Sequence, residues 1–152
     1  MKYITAKQFL EQPESVQKVF IDWWEPDIGD SVFDKRHNQI AIVIYRVVNA
    51  IKKWFDIYLL KSKRSIVDHE DLIPLLTMQQ LIDFVEDKKD CIIDLNSARH
   101  TIAGARTYIR LYDIVGNYKQ QYIIENEIDK LAALWQVACK IALEVSEKVS
   151  KI

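Results

Sequence analysis

Glycine and proline are scarce in this chain, three of each in 152 residues. That excludes a loop-rich fold and a glycine-rich phosphate cradle, which both need residues tolerant of unusual backbone angles. Cysteine is nearly missing as well. Cys91 and Cys139 stand far apart with no CxxC, which excludes a zinc knuckle and favours two small buried hydrophobes over a disulfide. Long apolar runs are missing too. The longest, Ile40 to Tyr45, is far short of the roughly 20 residues that a spanning helix requires. The opening Met1-Lys2-Tyr3-Ile4-Thr5-Ala6-Lys7 lacks the apolar stretch of a signal peptide. Neither charge sign dominates: 21 basic residues face 22 acidic ones, a formal net charge of -1. Nothing in that balance demands a polyanion or an acidic membrane as partner. A cytoplasmic, reduced chain with no membrane association is expected.

What is present is the composition of a globular protein, 49% hydrophobic and 28% charged, outside the disordered range. The length suits one domain, 1–152, able to bury roughly two-thirds of its unfolded surface.

Thr5-Ala6-Lys7-Gln8 has the spacing of a capping box and predicts a short helix from Ala6 to about Glu11. Pro13 suits the first position of a second helix. Its apolar stripe is Val16, Val19, Phe20 and Trp23, and it must stop before Pro26. Ser31 to Phe33 reads as a strand. From Gln39 to Leu60 two readings compete. Ile and Val favour strands, while Arg46, Asn49, Lys53 and Asp56 recur at helical spacing; strands are preferred because β-branched residues dominate. Thr77 to Gln80 repeats the capping box and opens a helix to about Asp87. Asp90 to Leu95 alternates as a half-buried strand, and the stretch 97–106 stays open between strand and helix. Thr107 to Val115 and Tyr118 to Ile124 flank Gly116-Asn117, a pair suited to a two-residue hairpin turn. Asn126 is the expected cap of a long C-terminal helix. Ile128, Leu131, Leu134, Trp135, Ala138, Ile141, Ala142 and Val145 form its stripe.

These elements make an α+β domain. N-terminal helices come first, then an antiparallel sheet of about five strands with a helix inserted, then a long helix packed on the sheet. An all-α bundle is the runner-up. The helical stripe fits packing within the domain or between copies equally well.

Three segments carry a resemblance. They are Asp22-Trp23-Trp24-Glu25-Pro26-Asp27-Ile28-Gly29-Asp30, Ile73-Pro74-Leu75-Leu76-Thr77-Met78-Gln79-Gln80-Leu81-Ile82-Asp83-Phe84, and Leu134-Trp135-Gln136-Val137-Ala138-Cys139-Lys140-Ile141-Ala142. In these, and in its opening Ile4 to Leu10, the chain resembles small uncharacterised proteins encoded by phages and prophages of Gram-positive bacteria. The resemblance implies a phage or prophage origin and a cytosolic site of action in the host. It implies no activity and carries over no functional residues.

Candidate sites must come from the residues themselves. Asp68-His69-Glu70-Asp71 gathers metal-friendly side chains, but adjacent residues cannot all converge on one ion, so a solvated loop is expected. His37, His69 and His100 have no HxH or HExxH spacing. A metal-dependent nuclease would need residues such as Asp27, Glu70 and Glu86 in one cleft. No GxSxG exists, and both cysteines look inert. No catalytic residue, metal ligand or cofactor is assigned, and an enzyme is not expected.

Two binding surfaces remain. Trp23 and Trp24 point about 100° apart on a helix, so one can be buried while the other, Trp24, anchors a protein interface, although core packing of both is the preferred reading. Basic residues offer the other: Lys52, Lys53, Lys61, Lys63 and Arg64 crowd one region. Arg99, Arg106 and Arg110 share a face if helical, close to Tyr108, Tyr112, Tyr118 and Tyr122. Arginine with stackable tyrosine suits a nucleic-acid surface, although tyrosines on hairpins are commonly cross-strand packers. The leading expectation is a non-enzymatic accessory protein that binds a host or phage protein, or itself. Nucleic-acid binding is the alternative, and a small metal-dependent enzyme is third.

Overall fold

The computed structural model describes residues 2–48, 53–59, 63–100 and 104–152, with side chains 46–64 and 97–103 outside that description. The described residues divide into two compact units, Thr5–Leu75 and Met1–Ile4 with Leu76–Ile152. The class is α+β, as expected. The strands number eight among the described residues and form two antiparallel sheets, not one of about five.

In the first unit, α1 (Ala6–Leu10) starts at Thr5, whose side chain and backbone complete the capping box with Gln8. Pro13 is the cap of α2 (Glu14–Trp23) rather than its first residue, with an extended ψ of 146°. Phe9 and Phe20 meet with ring centroids 6.2 Å apart. Five strands follow: β1 (Ser31–Asp34), β2 (Gln39–Val48), β3 (Lys53–Leu59), β4 (Lys63–Asp68) and β5 (Leu72–Pro74). They lie in the order β4-β3-β2-β1-β5. The strand reading therefore holds over Gln39–Val48 and Lys53–Leu59, where β-branched content outweighs helical spacing; 49–52 and 60 lie outside the described residues. Pro74 closes β5 opposite Val32 at the sheet edge, where a missing N–H is tolerated. Asp68 to Asp71 is not an open loop: His69–Asp71 form one 3-10 turn between β4 and β5.

Asp34 is the buried acid of this unit, wholly out of solvent. Its carboxylate accepts the Arg36 N–H at 2.9 Å and also meets the ring of His37. The same turn is tied to the chain before β5, where the Lys35 N–H donates to the Asp71 carbonyl at 2.9 Å.

In the second unit, α3 (Met78–Lys89) begins at the Thr77 capping box and ends at Asp90 in the left-handed region, φ 47°. Then come β6 (Ile92–His100), β7 (Gly104–Tyr112), β8 (Tyr118–Glu125) and α4 (Lys130–Ser150). The sheet order is β6-β7-β8. Asn126 is not the helix cap; it takes a left-handed φ of 56°. Asp129 caps instead, because its carboxylate reaches both the Leu131 and Ala132 N–H groups, at 2.9 and 3.3 Å. α3 and α4 pack on each other and on the sheet. Leu134, Val137, Ala138, Ile141 and Ala142 of α4 are buried with Leu81, Phe84 and Val85 of α3 and Ile109 and Leu111 of β7. Each large side chain so buried contributes roughly 1.5–3 kcal/mol.

Asp34→Ala removes the acceptor of the Arg36 N–H and the partner of the His37 ring, and leaves a cavity where the buried side chain stood. Asp34→Ala is expected to lower the free energy of unfolding by about 2–4 kcal/mol, measured by urea titration. An unchanged midpoint would show that the carboxylate is not a structural tie.

Candidate functional site

The central strand of the second unit sorts its side chains by strict alternation. Thr107, Ile109 and Leu111 are buried. Arg106, Tyr108, Arg110 and Tyr112 therefore stand on the opposite face. Pairing carries this outward row across the sheet. Ile92, Asp94 and Asn96 of β6 lie opposite Tyr112, Arg110 and Tyr108. On the other side Tyr118, Gln121, Ile123 and Glu125 of β8 lie opposite Tyr112, Arg110, Tyr108 and Arg106. A register shift between Leu111 and Tyr112 brings Tyr118 into that row. Tyr112 and Tyr118 meet edge to face, with centroids 6.2 Å apart.

The charges on this face are already matched. Arg106 Nε donates to Glu125 Oε2 at 2.8 Å, and Arg110 Nη1 lies 3.7 Å from Asp94 Oδ2. Arg110 Nε also donates to Gln121 Oε1 at 2.9 Å. The hydrogen bonds that Arg106 makes to Glu125 and then Tyr108 push its guanidinium above its ordinary value. The Arg110 guanidinium carbon sits 5.8 Å from the centre of the Tyr108 ring, within cation–π range. Exposed apolar side chains stand beside these pairs: Ile92, Ile123 and Tyr118 are exposed at 49%, 45% and 61%, with Asn96 and Gln121 in the same row.

The β7–β8 hairpin extends the face to a tip. The loop is wider than the two-residue turn read from Gly116-Asn117. The Gly116 N–H donates to the Asp113 carbonyl, and the Asp113 N–H donates to the Asn117 carbonyl, both at 2.9 Å. The Asp113 side chain is the reason. Its Oδ1 accepts from the Val115 and Asn117 N–H groups at 3.0 and 2.8 Å, and its Oδ2 from Asn117 Nδ2 at 2.9 Å. Gly116, at φ 89°, closes the turn in a region costly for other residues. Ile114 and Val115 are left 80% and 81% exposed on this braced loop.

Of the residues expected at a site, Arg106 and Arg110 do share a face. A spacing of four keeps two residues together on a strand as on a helix. The Arg99 side chain falls outside the described residues; its backbone pairs with Ala105. Of the four tyrosines, Tyr122 pairs with Ile109, in the row of the helix side. Trp24 is not a rim anchor. It is 3% exposed, having left the helix as its cap with ψ 123°. Its indole N–H donates to Asp30 Oδ2 at 3.3 Å, and its ring lies 5.6 Å from that of His69. Lys52, Lys53, Lys61, Lys63 and Arg64 fall outside the described side chains. Ile114 and Val115 were not singled out from the sequence, although two β-branched apolar residues inside a turn are themselves a signal.

The groups expected for chemistry are occupied otherwise. Glu86 Oε1 accepts the Ile93 N–H at 2.9 Å. Burial raises the Cys91 thiol and pushes Cys139 up to about 12, so both stay protonated at neutral pH. Among the described residues no three His, Cys, Asp or Glu side chains gather as a metal site requires. No helix among them is long and apolar enough to cross a membrane. A cleft of about 460 Å³ lies between the starts of α3 and α4, lined by Lys2, Thr77, Met78, Asp129, Lys130 and Leu131. Its helix ends are capped by Thr77 and Asp129, and Lys2 is paired with Asp129. No family model, curated protein or solved structure matches this chain.

The hydrogen bonds from Asn117, then that from Val115, hold the Asp113 carboxyl below its ordinary 3.8. A depressed value means that the bracing is complete above 3.8 and is lost as pH falls through the lower, folded value. Amide shifts of Val115 and Asn117 followed by NMR are expected to titrate with a midpoint below 3.8. A midpoint at or above that value would mean that Asp113 does not brace the tip in solution.

Proposed function

We propose that this chain is a non-enzymatic protein-interaction module, docking through the outward face of β6, β7 and β8 and the Ile114–Val115 tip. The observation that carries this reading is the face itself, on which exposed Ile92, Ile123 and Tyr118 surround arginines already paired with acids. Interface cores are enriched in tyrosine and arginine and depleted of unpaired charge. A groove for a polyanion instead presents an excess of positive charge, and here two arginines meet Asp94 and Glu125. The resemblance to phage and prophage proteins fits an accessory role in a host cytoplasm, with a host protein, a phage protein or a second copy as partner.

A second reading has one observation in its favour. Arg110 over the Tyr108 ring, beside Asn96 and Gln121, is the kind of surface on which unpaired bases stack.

One experiment separates the two. Tagged protein is used to capture partners with and without nuclease, alongside Tyr108→Ala and Ile123→Ser. Under the leading reading, capture survives nuclease, changes little with salt, and weakens ~10-fold or more in the variants. The melting temperature should stay within a few degrees of wild type. Capture that vanishes with nuclease and falls steeply with salt would replace this reading with the nucleic-acid one.

A further inference from the structure

We infer that the partner for this face is a second copy of the chain, packed sheet to sheet about a two-fold axis. The inference rests on reading the face as a protein interface, and adds which protein covers it.

The argument is the order of the central row. Its outward positions read Arg106, Tyr108, Arg110, Tyr112, an unbroken Arg-Tyr alternation. In a two-fold interface, if one residue contacts another, the reverse contact also occurs. An axis running across the strands and passing at Ile109 lays β7 of one copy antiparallel over β7 of the other. Tyr108 then faces Arg110, and Arg106 faces Tyr112, so every arginine meets a tyrosine twice over. The flanking strands lie over their own counterparts. Asp94 then faces Asn96, Gln121 faces Ile123, and Glu125 faces Tyr118. Among the described side chains of these rows, like charge never meets like charge. The other in-plane axis, along the strands, sets Arg106 on Arg106 and Arg110 on Arg110 and is rejected on that ground.

The local geometry suits such stacking. Arg106 and Arg110 engage Glu125, Gln121 and Asp94 within their own sheet. A guanidinium held by its edge in this way keeps a planar face for an aromatic ring. The two acids cancel the two arginines, so neutral faces approach without mutual repulsion. Four rows on three strands span about 15 by 25 Å, roughly 400 Å² per copy, which is below the roughly 600 Å² per partner at which stable specific interfaces begin. The expected dimer is therefore reversible and seen at high micromolar concentration.

The test is sedimentation of the full chain over a concentration series. Wild type is expected to pass from monomer to twice the monomer mass. Tyr108→Arg sets arginine against Arg110 of the other copy and should stay monomeric. Combining Tyr108→Arg with Arg110→Tyr restores arginine against tyrosine at that position and should restore the dimer. A purely structural role for Tyr108 predicts no such rescue. If Tyr108→Arg does not fold, concentration-dependent NMR shifts in wild type read the same surface: changes at Tyr108, Arg110 and Tyr112 support the pairing, and changes confined elsewhere overturn it. A wild type that stays monomeric throughout overturns it, as does a dimer indifferent to Tyr108→Arg. A monomer whose capture of another protein still fails in Tyr108→Ala sinks only self-pairing. A monomer whose capture is unaffected by Tyr108→Ala sinks the interface reading with it.

Discussion

The second unit depends on a single constraint, the two-residue period of β7 between its helices and solvent. Thr107, Ile109 and Leu111 are buried on the side of β7 that α4 covers. A shift of one residue would bury Arg106 and Arg110 in an apolar core, which costs several kcal/mol per unpaired charge. Register is therefore strongly specified, and with it the membership of the outward row. Tyr108, between two arginines, is outward because Ile109 has to be inward. The candidate surface is thus a direct consequence of core packing on the other face.

The carboxylates serve the same end in several places. Asp129 starts α4, Asp113 braces the hairpin tip, and Glu86 takes the first part of β6 onto the end of α3 through the Ile93 N–H. Lys89 of α3 joins Glu144 of α4 at 2.5 Å. Lys119 of β8 donates to the carbonyls of Lys89 and Asp90, at 3.2 and 2.9 Å, where α3 exposes its last acceptors. Acidic and basic residues that look available for chemistry in the sequence satisfy backbone groups at element ends instead.

Legibility from sequence followed the strength of each local signal. Both capping boxes, at Thr5 and Thr77, are formed as read, because the motif contains its own partners within three residues. The stripe of α4 was equally plain, since five turns of period 3.6 are hard to imitate. Its start was not, because Asn126 and Asp129 both have capping side chains and only their backbone angles decide between them. β6 extends to His100, although apolar alternation stops at Leu95. Beyond that point the ladder with β7 continues to His100. β4 and β5 went unread for a related reason. Short edge strands have few apolar positions, and Pro74 imitates a break while lying at the end of a real strand.

The candidate face was half legible for a reason of arithmetic. Grouping Arg99, Arg106 and Arg110 assumed a helix, where spacings of seven and eleven stay near one side. On a strand only even spacings do, and the spacing of four is what keeps Arg106 and Arg110 together. The same parity admits Tyr108, Tyr112 and Asn96, and a register shift is what admits Tyr118. Hydrogen-bonded neighbours then change the chemistry that the arginines offer. Read alone they suggest phosphate; read beside Glu125 and Asp94 they are neutral, flat and backed by tyrosine. A phosphate would have to displace a carboxylate at 2.8 Å from Arg106, whereas a second aromatic ring needs to displace nothing. That asymmetry favours a stacked aromatic ring over a phosphate on this sheet.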